Sequence, residues 1–176
     1  TVTSTDVDAS STATYSISGE DVDDFTIDSS TGVLTFSFSP NFELPTDSNN
    51  DNVYTVIVTV TDNGSLTDSQ TITISVTDVN EYAPSITSNG GGSTASISFS
   101  ENSTSAVTTV TSSDVDAGST AAYSISGTDA GDFNINSSSG ALTFKSAPNF
   151  ESPDDDGTNN EYIVIVTVTD NGSLTD

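Results

Sequence analysis

Acidic residues recur in this chain in short, spaced groups whose types and spacing suit the binding of a hard cation. Asp114-Val115-Asp116 places two carboxylates two residues apart, and Asp170-Asn171-Gly172 follows later. Related groups occur at Asp6-Val7-Asp8 and Asp62-Asn63-Gly64, and each copy carries an Asn-Phe-Glu group. Oxygen ligands in sets of six to eight are what calcium takes in proteins. The chain has no His or Cys, which disfavours a zinc or copper site.

The acidic groups recur because the chain contains a long internal repeat. Residues 1–68 align with residues 109–176 at a constant offset of 108, without a gap, and 47 of these 68 pairs are identical. Self-similarity at a fixed period is typical of stacked or strung modules, which commonly serve as spacers, stalks or fibres. The period does not fit evenly into the chain. We therefore expect a window cut from a longer polypeptide.

Charge limits the classes of partner. Asp and Glu number 26 against one cation, Lys145, for a formal charge of −25. Such a surface repels phosphate backbones and anionic lipids, so we expect no nucleic-acid partner, and no apolar run is long enough for membrane insertion. Disorder is the alternative for so acidic a chain. Hydrophobic residues make up 32% and fall in regular alternating runs, which favours a folded protein.

Alternating apolar residues predict β-strands throughout the chain. Tyr54, Val56, Val58 and Val60 alternate with polar or β-branched residues, the period of a strand with one buried face. The pattern returns at 162–168, and 72–76 forms another run. Shorter runs lie at 97–99, 107–110, 123–125, 133–135 and 142–144, with Gly-containing turns between several of the runs. No segment shows a helical period.

One full period holds about seven short strands, which predicts an all-β chain of tandem immunoglobulin-like sandwiches. We expect both copies to be incomplete, the first without its opening strand and the second without its closing strand. Unpaired strand edges favour pairing with another chain. The core should come from alternate strand residues, with Tyr15, Phe25, Ile27, Leu34, Phe36 and Phe42 facing the valines at 56, 58 and 60.

The order of the motifs resembles the cadherin repeat, whose motifs run PEN, DxD, DRE, DxG and DxNDNxP. One period reads Glu101-Asn102, Asp114-x-Asp116, Asn149-Phe150-Glu151 and Asp170-Asn171-Gly172, and the first copy supplies a closing segment at 78–84, DVNEYAP. The likeness covers the whole chain and is closer to bacterial cadherin-like repeats of large cell-surface or secreted proteins than to animal receptors. It implies cadherin-like repeats at 1–79 and 85–176, joined by a calcium-binding linker at 80–84.

The residues themselves point to the same junction. Carboxylates at strand ends and between modules should converge where two sandwiches meet end to end, and those at the contained junction are Glu43, Asp78, Glu81, Asp114, Asp116 and Asp170. Two such charges about 4 Å apart repel by about 1 kcal/mol in water and about 4 kcal/mol at an effective dielectric constant near 20. Six of them without a nearby Lys or Arg require a cation.

The resemblance implies calcium ligands residue by residue. They are Glu43, Asp78, Asn80 through its carbonyl, Glu81, Asp114, Asp116 and Asp170, with half-sites for neighbouring repeats at Asp6, Asp8 and Asp62 and at Glu101 and Glu151. Three positions depart from the family pattern. Asn41 stands in place of Asp, Glu81 in place of the linker Asp, and Tyr82 in place of the linker Asn. We therefore expect one or two ions rather than three.

Two further acidic runs have less specific spacing. Asp47-Ser48-Asn49-Asn50-Asp51 resembles the start of a calcium loop, but the following Gly and the closing Glu are missing. A polar hairpin loop is the default interpretation, with a metal site as the alternative. Asp21, Asp23 and Asp24 lie between strands, and we expect a surface loop there.

These observations favour a non-enzymatic structural or adhesive repeat of an extracellular or cell-surface protein. Its partners would be neighbouring repeats or identical chains, in a possible head-to-tail fibre, with a glycan or cell-surface ligand as a further possibility. The alternative is a carbohydrate-binding or spacer module of a secreted polysaccharide-degrading enzyme, for which Tyr82 is the only exposed aromatic residue we expect. A glycosidase pair at Asp114 and Asp116 is disfavoured, because both recur in the other copy and no His, Cys or Lys base accompanies them.

Overall fold

Antiparallel β-strands account for nearly all regular structure in the computed structural model, which describes residues 1–8 and 10–176. The chain divides into two compact units, Thr1–Val79 and Asn80–Asp176. Helical structure in the described residues is limited to three short 3-10 segments, at Val22–Asp24, Ser88–Gly90 and Ala130–Asp132. None of the helices described is long and apolar enough to cross a bilayer.

In its described residues, 1–8 and 10–79, the first unit contains five strands. They are β1 (Thr14–Ser18), β2 (Phe25–Ile27), β3 (Leu34–Phe36), β4 (Val53–Thr61) and β5 (Thr67–Ser75). One antiparallel sheet has the order β1-β4-β5, and β2 pairs with β3. The alternation predicted for β4 is confirmed, because Tyr54, Val56 and Val58 are buried while the residues between them are partly exposed.

The second unit contains seven strands. They are β6 (Ser85–Ile86), β7 (Ala106–Thr109), β8 (Ser112–Ser113), β9 (Ala122–Ser126), β10 (Phe133–Ile135), β11 (Ala141–Phe144) and β12 (Ile165–Thr169). The order β10-β11-β7 forms one sheet, and the pairs β12-β9 and β6-β8 form two more. The chain is thus all-β, as the sequence predicts.

The internal repeat is reproduced as a repeat of strand register. In the first unit, β1 pairs Thr14 with Thr61 and Ser18 with Ile57. In the second, β9 pairs Ala122 with Thr169 and Ser126 with Ile165, each position shifted by 108. Matching side chains therefore face the core in both copies, since a one-residue slip would turn them all to the other face.

Each unit has a trio of packed aromatic rings that includes one buried Phe, Phe25 in the first and Phe133 in the second. Phe25 and Phe36 lie 4.5 Å apart between ring centroids, and Tyr54 meets both rings edge-on. Residues Phe133, Phe144 and Tyr162 repeat the arrangement, with centroid distances of 4.3, 4.9 and 6.0 Å. Such tilted and edge-to-face pairs are preferred geometries, and each fully buried apolar side chain contributes about 1.5–3 kcal/mol.

Two predicted strands differ from the structure. Residues 97–99 form no strand, although Phe99 packs on Phe144 with ring centroids 5.3 Å apart. The strand predicted at 162–168 begins at Ile165, because its partner β9 pairs only with residues 165–169. The expectation that Tyr82 would be the only exposed aromatic residue is also wrong, since Phe150 is 64% exposed.

The expectation of a surface loop at Asp21 is wrong for this side chain. Its carboxylate is buried and accepts hydrogen bonds from backbone N–H groups. This side chain is only 4% exposed and accepts hydrogen bonds from the backbone N–H of Ser48, at 2.8 Å, and of Thr55, at 2.6 Å. Asp129 is equally buried and accepts from the N–H groups of Asp156 and Ile163, at 2.9 and 2.6 Å. Backbone donors replace water around these charges, which makes their burial tolerable.

Asp47 and Asp155 stabilise the same two loops that donate backbone N–H groups to Asp21 and Asp129. Asp47 is buried and accepts hydrogen bonds from the backbone N–H groups of Asp51 and Asn52. Asp155 does the same for Asn159 and Asn160. These contacts give Asp47 a structural role in the hairpin loop, in line with the polar-loop interpretation.

We expect the substitution Asp129→Ala to destabilise the protein by about 2–4 kcal/mol, because two part-buried backbone N–H groups would lose hydrogen bonds worth about 1.5–3 kcal/mol each, and water would replace part of this loss. Urea denaturation followed by circular dichroism measures this loss. Asp156→Ala is the matched control, since that side chain is exposed and should change the unfolding free energy by less than about 0.5 kcal/mol. Equal stability of the two variants would contradict the structural role of Asp129.

Candidate metal site

Three carboxylates of the second unit lie together at the ends of two strands. Asp114 and Asp116 follow β8, and Asp170 follows β12. One oxygen of each lies within 4.8 Å of one oxygen of the other two. Asp116 is 5% exposed and Asp170 is 7% exposed, while Asp114 is half-buried. Three residues that the sequence analysis predicts as ligands thus lie together in this unit, and their role as metal ligands stays a prediction.

Each carboxylate is held in place by a donor on its own unit. Asp116 Oδ2 accepts a hydrogen bond from the backbone N–H of Tyr82, at 2.9 Å, and Asp170 Oδ1 accepts one from the N–H of Leu174, at 2.8 Å. Asp114 Oδ1 accepts from the N–H of Asp116, and its Oδ2 accepts from the Ser119 hydroxyl at 2.7 Å. The carboxylates are therefore oriented before any ligand binds.

Two buried oxygens of the cluster have no hydrogen-bond partner in the described structure. They are Asp116 Oδ1 and Asp170 Oδ2. Buried polar atoms are nearly always hydrogen-bonded, and a buried anionic oxygen without a donor is costly. A hard cation between the carboxylates would supply the missing partner, and the all-oxygen donor set fits calcium.

The turn that carries Asp170 is set by local sequence. Asp170 N–H donates to the Leu174 carbonyl, and the Asp170 side chain accepts from Leu174 in return. Ser173 adopts a left-handed conformation with φ of 71°, and Thr169 bridges to Thr175. Short polar side chains that bond nearby backbone favour such turns. These contacts therefore fix the turn that carries Asp170 at the end of β12.

Asn80 adds a further oxygen near this turn. Its Oδ1 is buried without a hydrogen-bond partner, and its Nδ2 donates to Asn171 Oδ1 at 3.3 Å. Glu81, also predicted as a ligand, is exposed. Asn171 is a residue to which the sequence analysis gave no role. The signal available for it was the recurrence of the octapeptide Thr-Asp-Asn-Gly-Ser-Leu-Thr-Asp in both copies.

In the first unit, Glu43 and Asp78 form an acidic pair. One carboxylate oxygen of each lies within 4.8 Å of the other, and both side chains are partly buried. Asn41 Oδ1 accepts the backbone N–H of Glu43 at 2.8 Å, which fixes the turn that presents this residue. Asn41, where the family usually has Asp, therefore serves the backbone of this turn.

The residues of the predicted half-sites lie at exposed or partly exposed positions. Asp6 and Asp8 are exposed, and Asp62 is partly exposed, with its Oδ1 accepting the N–H of Leu66 at 2.7 Å. Glu101 and Glu151 are exposed, and Glu101 Oε2 accepts the N–H of Phe150 at 3.1 Å. Within residues 1–8 and 10–176, no group of three neighbouring acidic side chains includes any of these five residues.

The fold and the second unit's motifs match the cadherin domain. The family model of that domain covers residues 95–176. Mouse cadherin-23 repeats EC22-24 align with a TM-score of 0.69 at 23% identity, over 93% of this chain and 49% of that one. Drosophila N-cadherin EC1-4 gives 0.67 at 25% identity, over 94% and 39%. A structure of protocadherin gammaB7 EC3-6 gives 0.67 at 29% identity, over 94% and 38%.

By these matches residues 95–176 are similar to the cadherin domain, and the chain has the cadherin-like sandwich fold. Cadherin domains are extracellular adhesion modules rather than enzymes, and they generally bind calcium. The chain spans about half the length of the mouse structure and about two fifths of the Drosophila structure. No curated protein sequence matches the chain.

Hydrogen bonding lowers the pKa of Asp114 below its ordinary value of 3.8, chiefly through the Ser119 hydroxyl, while partial burial opposes the shift. Ionised Asp114 therefore stabilises the fold above the unfolded pKa, and this stabilisation is lost as pH falls through the lower folded pKa. We expect Ser119→Ala to raise the pKa of Asp114 in calcium-free protein. NMR titration of the side-chain carboxyl carbon measures the change.

The matched control is Ser11→Ala, because the Ser11 hydroxyl donates to Asp6 in the first copy as Ser119 does to Asp114. This variant should raise the pKa of Asp6, which is also lowered, and leave that of Asp114 unchanged. An unchanged Asp114 titration in Ser119→Ala would show that the hydroxyl is not the cause.

Proposed function

We propose that this chain is a calcium-rigidified segment of an extracellular adhesive protein. The observation that carries the proposal is the cluster of Asp114, Asp116 and Asp170, in which two buried carboxylate oxygens have no hydrogen-bond partner in the described structure. The cadherin-domain match over residues 95–176 supports the same assignment.

The strongly negative charge of the chain explains why the cluster of carboxylates would need a cation. The chain has one Lys and no Arg, and Lys145 Nζ donates to the Gly131 carbonyl. Three carboxylates within 4.8 Å of one another would repel by several kcal/mol in a partly buried site, by the estimate of about 4 kcal/mol for each close pair at a dielectric constant near 20. Calcium is favoured over magnesium because it accepts irregular sets of six to eight oxygens, whereas magnesium demands near-octahedral geometry.

The proposed ligand set draws on both repeats. The first repeat supplies Glu43 and Asp78, and residues Asn80 and Glu81 follow at the boundary between the repeats. The second repeat supplies Asp114, Asp116 and Asp170, giving the full set Glu43, Asp78, Asn80, Glu81, Asp114, Asp116 and Asp170. Tyr82 in place of the linker Asn removes a side-chain oxygen, so we propose one or two ions at this junction. Asp6, Asp8, Asp62, Glu101 and Glu151 would complete sites with further repeats.

Calcium would act mechanically in this proposal. Bound ions would neutralise the acidic ends of successive repeats and hold them in an extended rod suited to a stalk, matrix protein or surface filament. The protocadherin gammaB7 structure is described as a cis-dimer, and by analogy identical chains are proposed partners here. Placement in a large bacterial surface or secreted protein is the finer part of the proposal, and it rests on the motif resemblance.

Removing calcium should make the two repeats move independently. We expect small-angle X-ray scattering of the chain with excess chelator to show a broader distribution of interatomic distances and a changed maximum dimension compared with the calcium-loaded protein. Magnesium at the same concentration is the control ion. Superimposable scattering curves in calcium and chelator would contradict the rigidifying role.

Neutralising one carboxylate should weaken calcium binding. We expect Asp170→Asn to lower calcium affinity by about tenfold or more, because affinity in such sites follows the number of charged ligands. Isothermal titration calorimetry measures this change. Asp23→Asn is the control, since it removes the same charge from an exposed side chain that is not among the proposed ligands. Equal affinity in both variants would exclude the Asp170 site.

A further inference from the structure

We propose that Asn171 is a positioning residue that fixes the side-chain amide of Asn80 with its oxygen available to the metal. This inference rests on the proposed calcium site and adds a residue that is not itself a ligand. Metal ligands are commonly oriented by hydrogen bonds from a surrounding shell, and loss of such a partner typically costs 10–100-fold in affinity.

The polarity of the contact decides which end of the Asn80 amide is free. Asn80 Nδ2 donates to Asn171 Oδ1 at 3.3 Å, so the nitrogen of Asn80 is engaged. The other end, Asn80 Oδ1, is buried and has no hydrogen-bond partner in the described structure. An amide rotated by 180° would bring its oxygen against Asn171 Oδ1, and two acceptors in contact repel.

The orientation of Asn171 is in turn set by the backbone. Asn171 Oδ1 also accepts a hydrogen bond from the N–H of Thr120, at 3.0 Å. A rotated Asn171 would present its own NH₂ group to that backbone donor, which is unfavourable. Because the backbone N–H of Thr120 can only donate, it fixes the orientation of the Asn171 amide. Asn171 in turn fixes the orientation of the Asn80 amide. Thr120 adjoins Ser119, whose hydroxyl holds Asp114, so one short segment orients two proposed ligands.

Gly172 provides the space that this arrangement needs. A Cβ atom at Gly172 would lie 2.5 Å from Asn80 Oδ1 and 2.8 Å from Asn80 Cγ, closer than real contacts. At Gly64, the same position in the first copy, the three atoms nearest to a Cβ would belong to the Asp62 side chain, at 3.3–3.7 Å. Asn63 lies near Ser10, with its Nδ2 donating to the Ser10 carbonyl at 3.5 Å. The same octapeptide thus has different neighbours in the two copies.

The experiment compares Asn171→Ala, Asn171→Asp and Asn63→Ala with the unaltered chain by calcium titration calorimetry. We expect Asn171→Ala to bind calcium 10–100-fold more weakly. Asn171→Asp keeps an acceptor for Asn80 and Thr120, so it should bind at least as tightly as the unaltered chain. Asn63→Ala, in the identical octapeptide, should leave affinity unchanged. Wild-type affinity in Asn171→Ala, or equal losses in all three variants, would overturn the positioning role.

A second measurement needs no metal. In calcium-free ¹⁵N-labelled protein, the Asn80 side-chain NH₂ resonances should differ from those of a free amide. They should move to free-amide positions in Asn171→Ala and stay in Asn171→Asp. Unmoved Asn80 resonances in Asn171→Ala would overturn the inference even if the fold is altered elsewhere. Absence of calcium binding by the unaltered chain would overturn the proposed function instead, while this measurement would still report the amide contact.

Discussion

Electrostatic repulsion between neighbouring carboxylates has to be offset for the acidic site to form. Asp114, Asp116 and Asp170 approach within 4.8 Å of one another in a chain with 26 acidic residues and one cationic side chain. Side chains of opposite charge therefore cannot neutralise the cluster. What remains are backbone N–H groups, hydroxyls and solvent cations, and the structure uses the first two to hold oxygens while leaving others without a partner. A divalent cation would offset the repulsion and supply a partner for these oxygens.

Backbone donors play the same part throughout the fold. Asp21 and Asp129 are buried carboxylates whose described hydrogen bonds come from backbone N–H groups, and Asp47 and Asp155 follow the same rule in the adjoining loops. Charge-assisted bonds of this kind are stronger than neutral ones. They allow a protein almost without Lys and Arg to bury charge in its scaffold. Both oxygens of these four carboxylates accept backbone N–H hydrogen bonds, whereas Asp116 and Asp170 each keep one buried oxygen without a hydrogen-bond partner in the described structure.

Sequence reasoning predicted the β-architecture well where the signal was periodic. The burial of Tyr54, Val56 and Val58 follows from strict alternation, and the 108-residue offset transfers strand register from one copy to the other. It was wrong at 97–99, where alternation did not lead to strand pairing. It was also wrong at Asp21, whose hydrogen-bond partners lie 27 and 34 residues away in the chain, beyond the reach of any local pattern.

The sequence by itself determined the chemistry available: oxygen ligands without His or Cys, the motif order, and the candidate positions Asp114, Asp116 and Asp170. Only the tertiary structure decided which copies of those motifs become a cluster. Asp6, Asp8 and Asp62 have the same identities and spacing as the second set, yet in the described residues they belong to no group of three acids within 4.8 Å, and they are more exposed. The physical reason is that burial, hydrogen-bond polarity and close approach depend on segments distant in sequence. In the second unit, Tyr82 reaches Asp116 and Asn80 reaches Asn171 across 34 and 91 residues of chain.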